Sequence, residues 1–340
     1  MSFAFCTLNL SNEGAKMPKL RQNIVTGKWV VIAPERAKRP EDFVMAAAPK
    51  RHLDEKCPFC LGNPESAYKF SIKDAQTEHI YTIPNKYPAF VKDEEIIEEG
   101  GEFYFSTKSV GGHEVIVIKD HQKEIYEGGW ELLDELFRVY QSRYKFYCKD
   151  PVIEYAMPIH NLGPEAAASI EHPHSQFFAS SIIPNLVEEE LAGSKSYFED
   201  KKECVFCAMV REEQKQQVRI VAENVDFLTF TFFASRFPFE MWILPKKHQL
   251  AFEDIPAGER GNLAKIILET LTKLNKTLRF PPFNWWIHTA PTKKNHLSEH
   301  YHWHMEIAPR VSKFGGYEMG SGIVIDVVSP ELAAQFLKKA

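Results

Sequence analysis

The chain has 340 residues, 44% of them apolar and 26% charged, with a formal net charge of −5 and a pI near 6.2. That suffices for one or two globular domains with a real core, and the acidic balance argues against nucleic acid as the main partner. No run approaches 18 uninterrupted apolar residues, and the opening MSFAFCTLNLSNEG lacks a basic start before a long apolar stretch. Neither a membrane span nor a secretory leader is expected, and the expected location is cytoplasmic.

In chain order, the first chemical landmark is Cys57-Pro-Phe-Cys60. A strand-like run follows at His113-Glu-Val-Ile-Val-Ile, then a helical segment with Leu133, Phe137, Tyr140 and Tyr144 along one face. His172-Pro-His174-Ser-Gln176 closes the series. The second half repeats this order. Cys204-Val-Phe-Cys207 precedes the strand-like run Glu240-Met-Trp-Ile-Leu-Pro and His248. A helix with Leu263, Ile267, Leu271, Leu274 and Leu278 on one face leads to His302-Trp-His304-Met-Glu306. From the second cysteine to the lone histidine is 53 residues in one half and 41 in the other, and from there to the His-x-His pair 59 and 54. Four element types repeated in one order indicate an internal duplication. The charged stretch EEELAGSKSYFEDKKE reads as its connector, dividing the chain into 1–195 and 196–340. Antiparallel-looking strands with one main helix per half predict an α+β fold of sheets with flanking helices. A last helix is expected from Ser329, with Pro330 in its first turn.

A Cys-x-x-Cys pair places two thiolates on one tight turn, a geometry that suits tetrahedral Zn²⁺ as well as dithiol redox chemistry. With the repeat, the spacing favours metal. The expected first set is Cys57, Cys60, His113 and His172, and the second is Cys204, Cys207, His248 and His302. A rival shell for the second metal, suited to zinc or iron, is Glu190, His288, His302 and His304.

The stretch from His160 to Gln176 is the candidate reactive segment. On a strand, His172, His174 and Gln176 share a face. A neutral imidazole is a good nucleophile toward phosphorus, and small residues from Gly163 to Ala168 let backbone N–H groups approach an anion. A His-x-His pair on a strand also reads as a metal pair, so His174 stands open between ligand and nucleophile.

These residues resemble the galactose-1-phosphate uridylyltransferases, a branch of the histidine-triad superfamily. The resemblance rests on Thr26-Gly27-Lys28-Trp29, Pro34-Glu-Arg36-Ala-Lys-Arg39-Pro40, the first Cys-x-x-Cys, Asn85, and Asn161 through Gln176. It continues through Phe237-Pro-Phe-Glu240, Pro245-Lys-x-His248, the second His-x-His and Gly316-Tyr317-Glu318. It implies a tandem duplication of a histidine-triad-like fold and ping-pong transfer through a covalent nucleotidyl-histidine at His174, with Gln176 and Ser169 on the phosphoryl groups. Arg36 and Arg39 would lie near the nucleotide phosphates, Asn85 near base or ribose, and Lys313 to Glu318 against the sugar phosphate, with Asn161 and Gly163 also lining the ligand. Read alone, Arg36 and Arg39 equally suit a solvated basic turn, and Asn85 and Ser169 a structural hydrogen bond. Implied partners are a nucleoside diphosphate sugar, a hexose 1-phosphate and a second copy in a homodimer. Two departures from the bacterial uridylyltransferase pattern stand out: Lys86 replaces an acidic residue after Asn85, and Met-Gly-Ser-Gly follows Glu318 where a glutamine is expected. Both, with the second Cys-x-x-Cys, resemble the plant-type branch of ADP-glucose phosphorylases. Uridylyl transfer between UDP-glucose and galactose 1-phosphate is the leading expectation, adenylyl transfer the alternative.

Overall fold

The computed structural model describes residues 17–34, 43, 56–93, 98–294, 297 and 299–340. Before the first repeat lie β1 (Lys19–Gln22) and β2 (Trp29–Ile32). The first half continues with β3 (Ile80–Pro84), a small hairpin of β4 (Glu98–Gly100) and β5 (Phe105–Thr107), β6 (Gly111–Ile118), α1 (Gly129–Tyr147), β7 (Tyr155–Leu162) and β8 (His174–Ser180). Two helices, α2 (Asn185–Lys201) and α3 (Val205–Gln216), lead into β9 (Ile220–Glu223), β10 (Phe227–Thr231) and β11 (Met241–Pro245). Then come α4 (Ala257–Leu278), β12 (Phe283–His288), β13 (His304–Pro309), α5 (Gly316–Ser321), β14 (Val324–Asp326) and α6 (Pro330–Lys339).

One nine-stranded sheet runs through both halves in the order β3-β6-β8-β7-β12-β13-β11-β10-β9. The duplication is visible in that order. The four strands β3-β6-β8-β7 are answered outward from the seam by β12-β13-β11-β10, and α1 is answered by α4. The halves join where β7 pairs antiparallel with β12, Asn161 opposite Asn284.

Side-chain alternation along each strand assigns the two faces of the sheet. Ile116 and Ile118 of β6, Phe177 and Ala179 of β8, and Met305 and Ile307 of β13 join one core with α1, α4 and α6. Leu133, Phe137, Tyr140 and Tyr144 of α1 and Leu263, Ile267, Leu271, Leu274 and Leu278 of α4 are buried in it, as their spacing predicts. Each such side chain contributes roughly 1.5–3 kcal/mol over an exposed one, which overrides the weak helix propensity of the aromatics. The alternate residues, including His113, His174, Gln176, His304 and Glu306, fall on the opposite face, away from α1 and α4, where two smaller apolar clusters pack.

The stretch expected as a connector is helical instead. EEELAGSKSYFEDKKE begins inside α2, where Glu190 is 1% exposed, and a Cβ at Gly193 would meet the Val25 carbonyl oxygen at 1.7 Å. Its many charges disguise a helix that packs. At the C-terminus, Ser329 caps α6 as expected, its Oγ accepting from the Leu332 N–H at 3.3 Å. Among the described residues no helix is long and apolar enough to cross a membrane.

Candidate active site and metal centres

Among the described residues, three groups of donor atoms stand close enough together to hold a metal ion. The first is Cys57, Cys60, His121 and His172. His121 Nδ1 is 3.1 Å from Cys60 Sγ and 3.1 Å from His172 Nδ1, and Cys57 Sγ is 3.5 Å from His172 Nδ1. Tetrahedral zinc with bonds of about 2.0–2.3 Å sets its ligands about 3.3–3.8 Å apart, so the donors stand at near-ligating separations. The His172 Nε2–H donates to the Ile118 carbonyl at 2.6 Å, which fixes the tautomer and turns the Nδ1 lone pair toward the thiols.

This corrects the first expected ligand set, because His113 is elsewhere. It sits inside β6, whereas His121 follows the end of that strand by three residues, as His248 follows the end of β11. From His121 to His172 is 51 residues, against 54 from His248 to His302, so the repeat itself carried the signal. In the sequence His113 is the more conspicuous of the two because it opens the apolar run.

The second cluster is the expected one: Cys204, Cys207, His248 and His302. Cys207 Sγ lies 3.4 Å from His248 Nδ1 and 3.6 Å from His302 Nδ1. The Cys204 thiol, aided by His248 and His302, pulls the Cys207 thiol down, and Cys204 is pushed up in return.

The rival shell is a separate, third group. It keeps Glu190, His288 and His304, but Glu306 takes the fourth position and His302 stays with the cysteines. His288 Nδ1 is 3.0 Å from Glu190 Oε2, and His304 Nε2 is 3.5 Å from Glu306 Oε1. Arg236 binds Glu306 and lies 3.2 Å from Glu240. Burial would raise the Glu306 carboxyl, but Arg236, His304 and His288 outweigh it and bring it to about 2.

His174 opens β8 beside the first cluster. Its Nδ1–H donates to the His172 carbonyl at 2.7 Å, which makes Nε2 the lone-pair nitrogen. Phe59, on the turn between Cys57 and Cys60, meets the ring edge-on at 5.4 Å. A cavity of about 710 Å³ is lined by His174, Ser169, Gly163 and Asn161 together with Glu124, Tyr126 and Phe280. Gly163 has φ +84°, and a Cβ there would press on Pro282 at 2.9 Å, so glycine is required where the cavity wall turns. Asn284 donates to Asn161 Oδ1 at 2.8 Å.

Gln176 and Asn85 converge on His113 rather than lining that cavity. His113 Nε2 is 2.8 Å from Gln176 Oε1 and 3.0 Å from Asn85 Nδ2, and the Ala89 N–H donates to Nδ1 at 3.1 Å. Lys313, Gly316, Tyr317 and Glu318 do not line the cavity either. Glu318 instead accepts from the Gly315 N–H at 2.9 Å and caps α5. Arg36 and Arg39 lie outside the described residues.

The second half holds the same constellation in closed form. His304 stands where His174 does and Glu306 where Gln176 does, but His304 is 0% exposed against 8% for His174. Phe206 stacks on His304 at 5.0 Å and Trp242 at 4.6 Å.

Comparison with known proteins identifies the family. Residues 10–184 match the galactose-1-phosphate uridyl transferase N-terminal domain and residues 190–338 the C-terminal domain. The chain is 32% identical over 333 residues to ADP-glucose phosphorylase of Arabidopsis thaliana, covering 95% of this chain and 93% of that protein. To the galactose-1-phosphate uridylyltransferase of Thermotoga maritima it is 26% identical over 333 residues, covering 95% and 98%. It is also similar to the crystal structure of an ADP-glucose phosphorylase from Arabidopsis thaliana with bound ADP-glucose: TM-score 0.80, 29% identity, 96% and 99% coverage. Because the two domain matches run over both halves of the shared sheet, the chain belongs to the galactose-1-phosphate uridyl transferase family, whose members transfer nucleotidyl groups.

Proposed function

We propose that the chain transfers a nucleotidyl group from a nucleoside diphosphate hexose through His174. The observation that carries this reading is the His174 Nδ1–H bond to the His172 carbonyl beside a cavity of nucleotide-sugar size. The Nε2 lone pair attacks the α-phosphorus. A P–N bond forms as the bond to the bridging oxygen breaks, and hexose 1-phosphate leaves with that electron pair. In the return step an acceptor phosphate oxygen attacks the same phosphorus, and the P–N bond breaks. The His172 carbonyl stabilises the positive charge that the ring acquires, while Ser169 and the Gly163 turn offer donors to the phosphate oxygens. Gln176 lies outside the cavity lining, but it is two residues from His174 on the same face of β8, and the resemblance assigns its amide protons to the transferred phosphate. Asn85 and the 313–318 loop are assigned by resemblance to nucleotide and sugar phosphate, and Arg36 and Arg39 to the phosphates.

Zinc in both cysteine clusters suits their donor chemistry, and in the first cluster it would hold the turn and strand that carry His174. Two metals per chain are expected. A third equivalent would place an ion in the Glu190, His288, His304 and Glu306 group, whose charges Arg236 already balances in part. A cytoplasmic homodimer completes the proposal.

The uridylyl reading follows the match to the family over both halves. An adenylyl reading is favoured by the 32% identity to ADP-glucose phosphorylase and by the second cysteine pair. Incubation with UDP-glucose or ADP-glucose, with galactose 1-phosphate or inorganic phosphate as acceptor, tests both. Hexose 1-phosphate release from one donor names the base. Release from neither, in protein carrying its metals, contradicts the proposal.

A further inference from the structure

We infer that His113 is a positioning residue that fixes the orientation of the Gln176 amide, so that its NH₂ group and not its oxygen meets the transferred phosphate. The inference rests on the assignment of Gln176 to the phosphate and adds what makes that assignment work. A glutamine amide is nearly symmetric in shape but opposite in polarity at its two ends. Toward a phosphate oxygen, the NH₂ end stabilises developing negative charge and the carbonyl end repels it.

The proton count around His113 decides the orientation. The Ala89 N–H donates to Nδ1, so that nitrogen carries the lone pair and the single ring proton sits on Nε2. Two amides lie at that nitrogen, and Asn85 presents to it the Nδ2 group, which cannot accept the Nε2 proton. Asn85 has committed its Oδ1 to the Tyr87 N–H at 2.9 Å. Gln176 is therefore the acceptor, with Oε1 2.8 Å from His113 Nε2, and its NH₂ is turned away. Sheet register holds the pair in place. His113 is directly opposite Phe178, two residues along the strand from Gln176, and stacks on that ring at 4.1 Å and 27°. Burial pulls the His113 ring below its ordinary value, outweighing Gln176 and Glu114, so the neutral tautomer is the one present near neutral pH.

The second half supports the assignment by contrast. Glu306 replaces Gln176 there, and Met241, at the first position of β11, and Glu240 before it offer no matching imidazole. The device occurs on the half whose histidine reaches a cavity.

The test is a double-mutant cycle read by the single-turnover rate of protein labelling with UDP-glucose and with ADP-glucose. His113→Phe keeps the stack on Phe178 but removes the Nε2–H, whereas His113→Gln restores a donor at nearly the same place. Gln176→Ala should slow labelling by about 10²–10³-fold, the usual cost of one lost transition-state donor. His113→Phe should slow it by about tenfold and His113→Gln by less, with melting temperature and metal content unchanged. In the Gln176→Ala background, His113→Phe should add nothing, because a residue acting through another is silent once that other is gone. Additive losses in the double variant would overturn the positioning role while leaving Gln176 on the phosphate. Wild-type labelling by Gln176→Ala would overturn the phosphate assignment itself, and the inference with it.

Discussion

His113 and His121 differ by eight positions and do unlike work. His113 points from β6 toward Gln176, while His121 lies past the strand end with Cys57, Cys60 and His172. Replacing His121 with Ala leaves a three-donor shell, so that variant should lose about one metal equivalent and several kcal/mol of stability, metal binding being folding energy. His113→Ala should keep both metals. Metal analysis of the two purified variants checks this, and the reverse pattern would restore His113 to the metal. At this scale the sequence was legible where spacing is tight: both cysteine pairs, His172, His174, His248 and His302 stand where their order predicts. Glu306 escaped notice because a single carboxylate two residues from a histidine is common on any strand. The environment that makes it special, Arg236 and His288, comes from elements far away in the chain.

At the scale of elements, β6 serves two faces at once. His113 faces the reactive side, and its neighbour Glu114 turns to α1, where Arg143 donates to it at 2.6 and 2.7 Å and the Tyr147 hydroxyl at 2.8 Å. Both ionic groups are almost fully buried, so removing one strands the other without water. Arg143→Leu should therefore destabilise by about 3–5 kcal/mol in denaturant unfolding, and Glu114→Leu combined with Arg143→Leu should recover much of that loss. A fully additive double variant would show that the pair is not coupled. Periodicity made α1 and α4 readable, since their apolar stripes are unbroken. It does not reveal α2, because of the three residues buried there, Val187, Glu190 and Ser194, only Val187 is apolar, and Glu190 is satisfied by His288 and Tyr301. The small residues that let α2 approach Val25 likewise carry no apolar signal.

Across the whole molecule, segments far apart in sequence are brought together by the small sheet β1-β2-β14, in which Asp326 of β14 lies opposite Ile32 of β2. Asp326 is 0% exposed, and burial pushes its carboxyl up to about 7. Its unfolded value is about 4. The folded state therefore holds a proton that the unfolded state releases. This contribution is full below about pH 4 and is lost as the pH rises toward 7. Asp326→Asn should remove that slope and raise stability at pH 8 by about 1–3 kcal/mol, one pKa unit being about 1.4 kcal/mol. An unaltered pH–stability profile would mean that Asp326 ionises in the fold without cost.

The duplicated fold also explains why only one half is assigned chemistry. The two His-x-His pairs are equivalent in sequence and register, but Phe206 and Trp242 seal His304, whereas Phe59 meets His174 only at its edge. The most direct measurement of the central claim is peptide mapping by mass spectrometry after brief mixing of the metal-loaded protein with UDP-glucose or ADP-glucose. One uridylyl or adenylyl group should appear on the peptide carrying His174, none on that carrying His304, and none on the His174→Gly variant. Labelling that persists in His174→Gly, or that maps to His304, would contradict it.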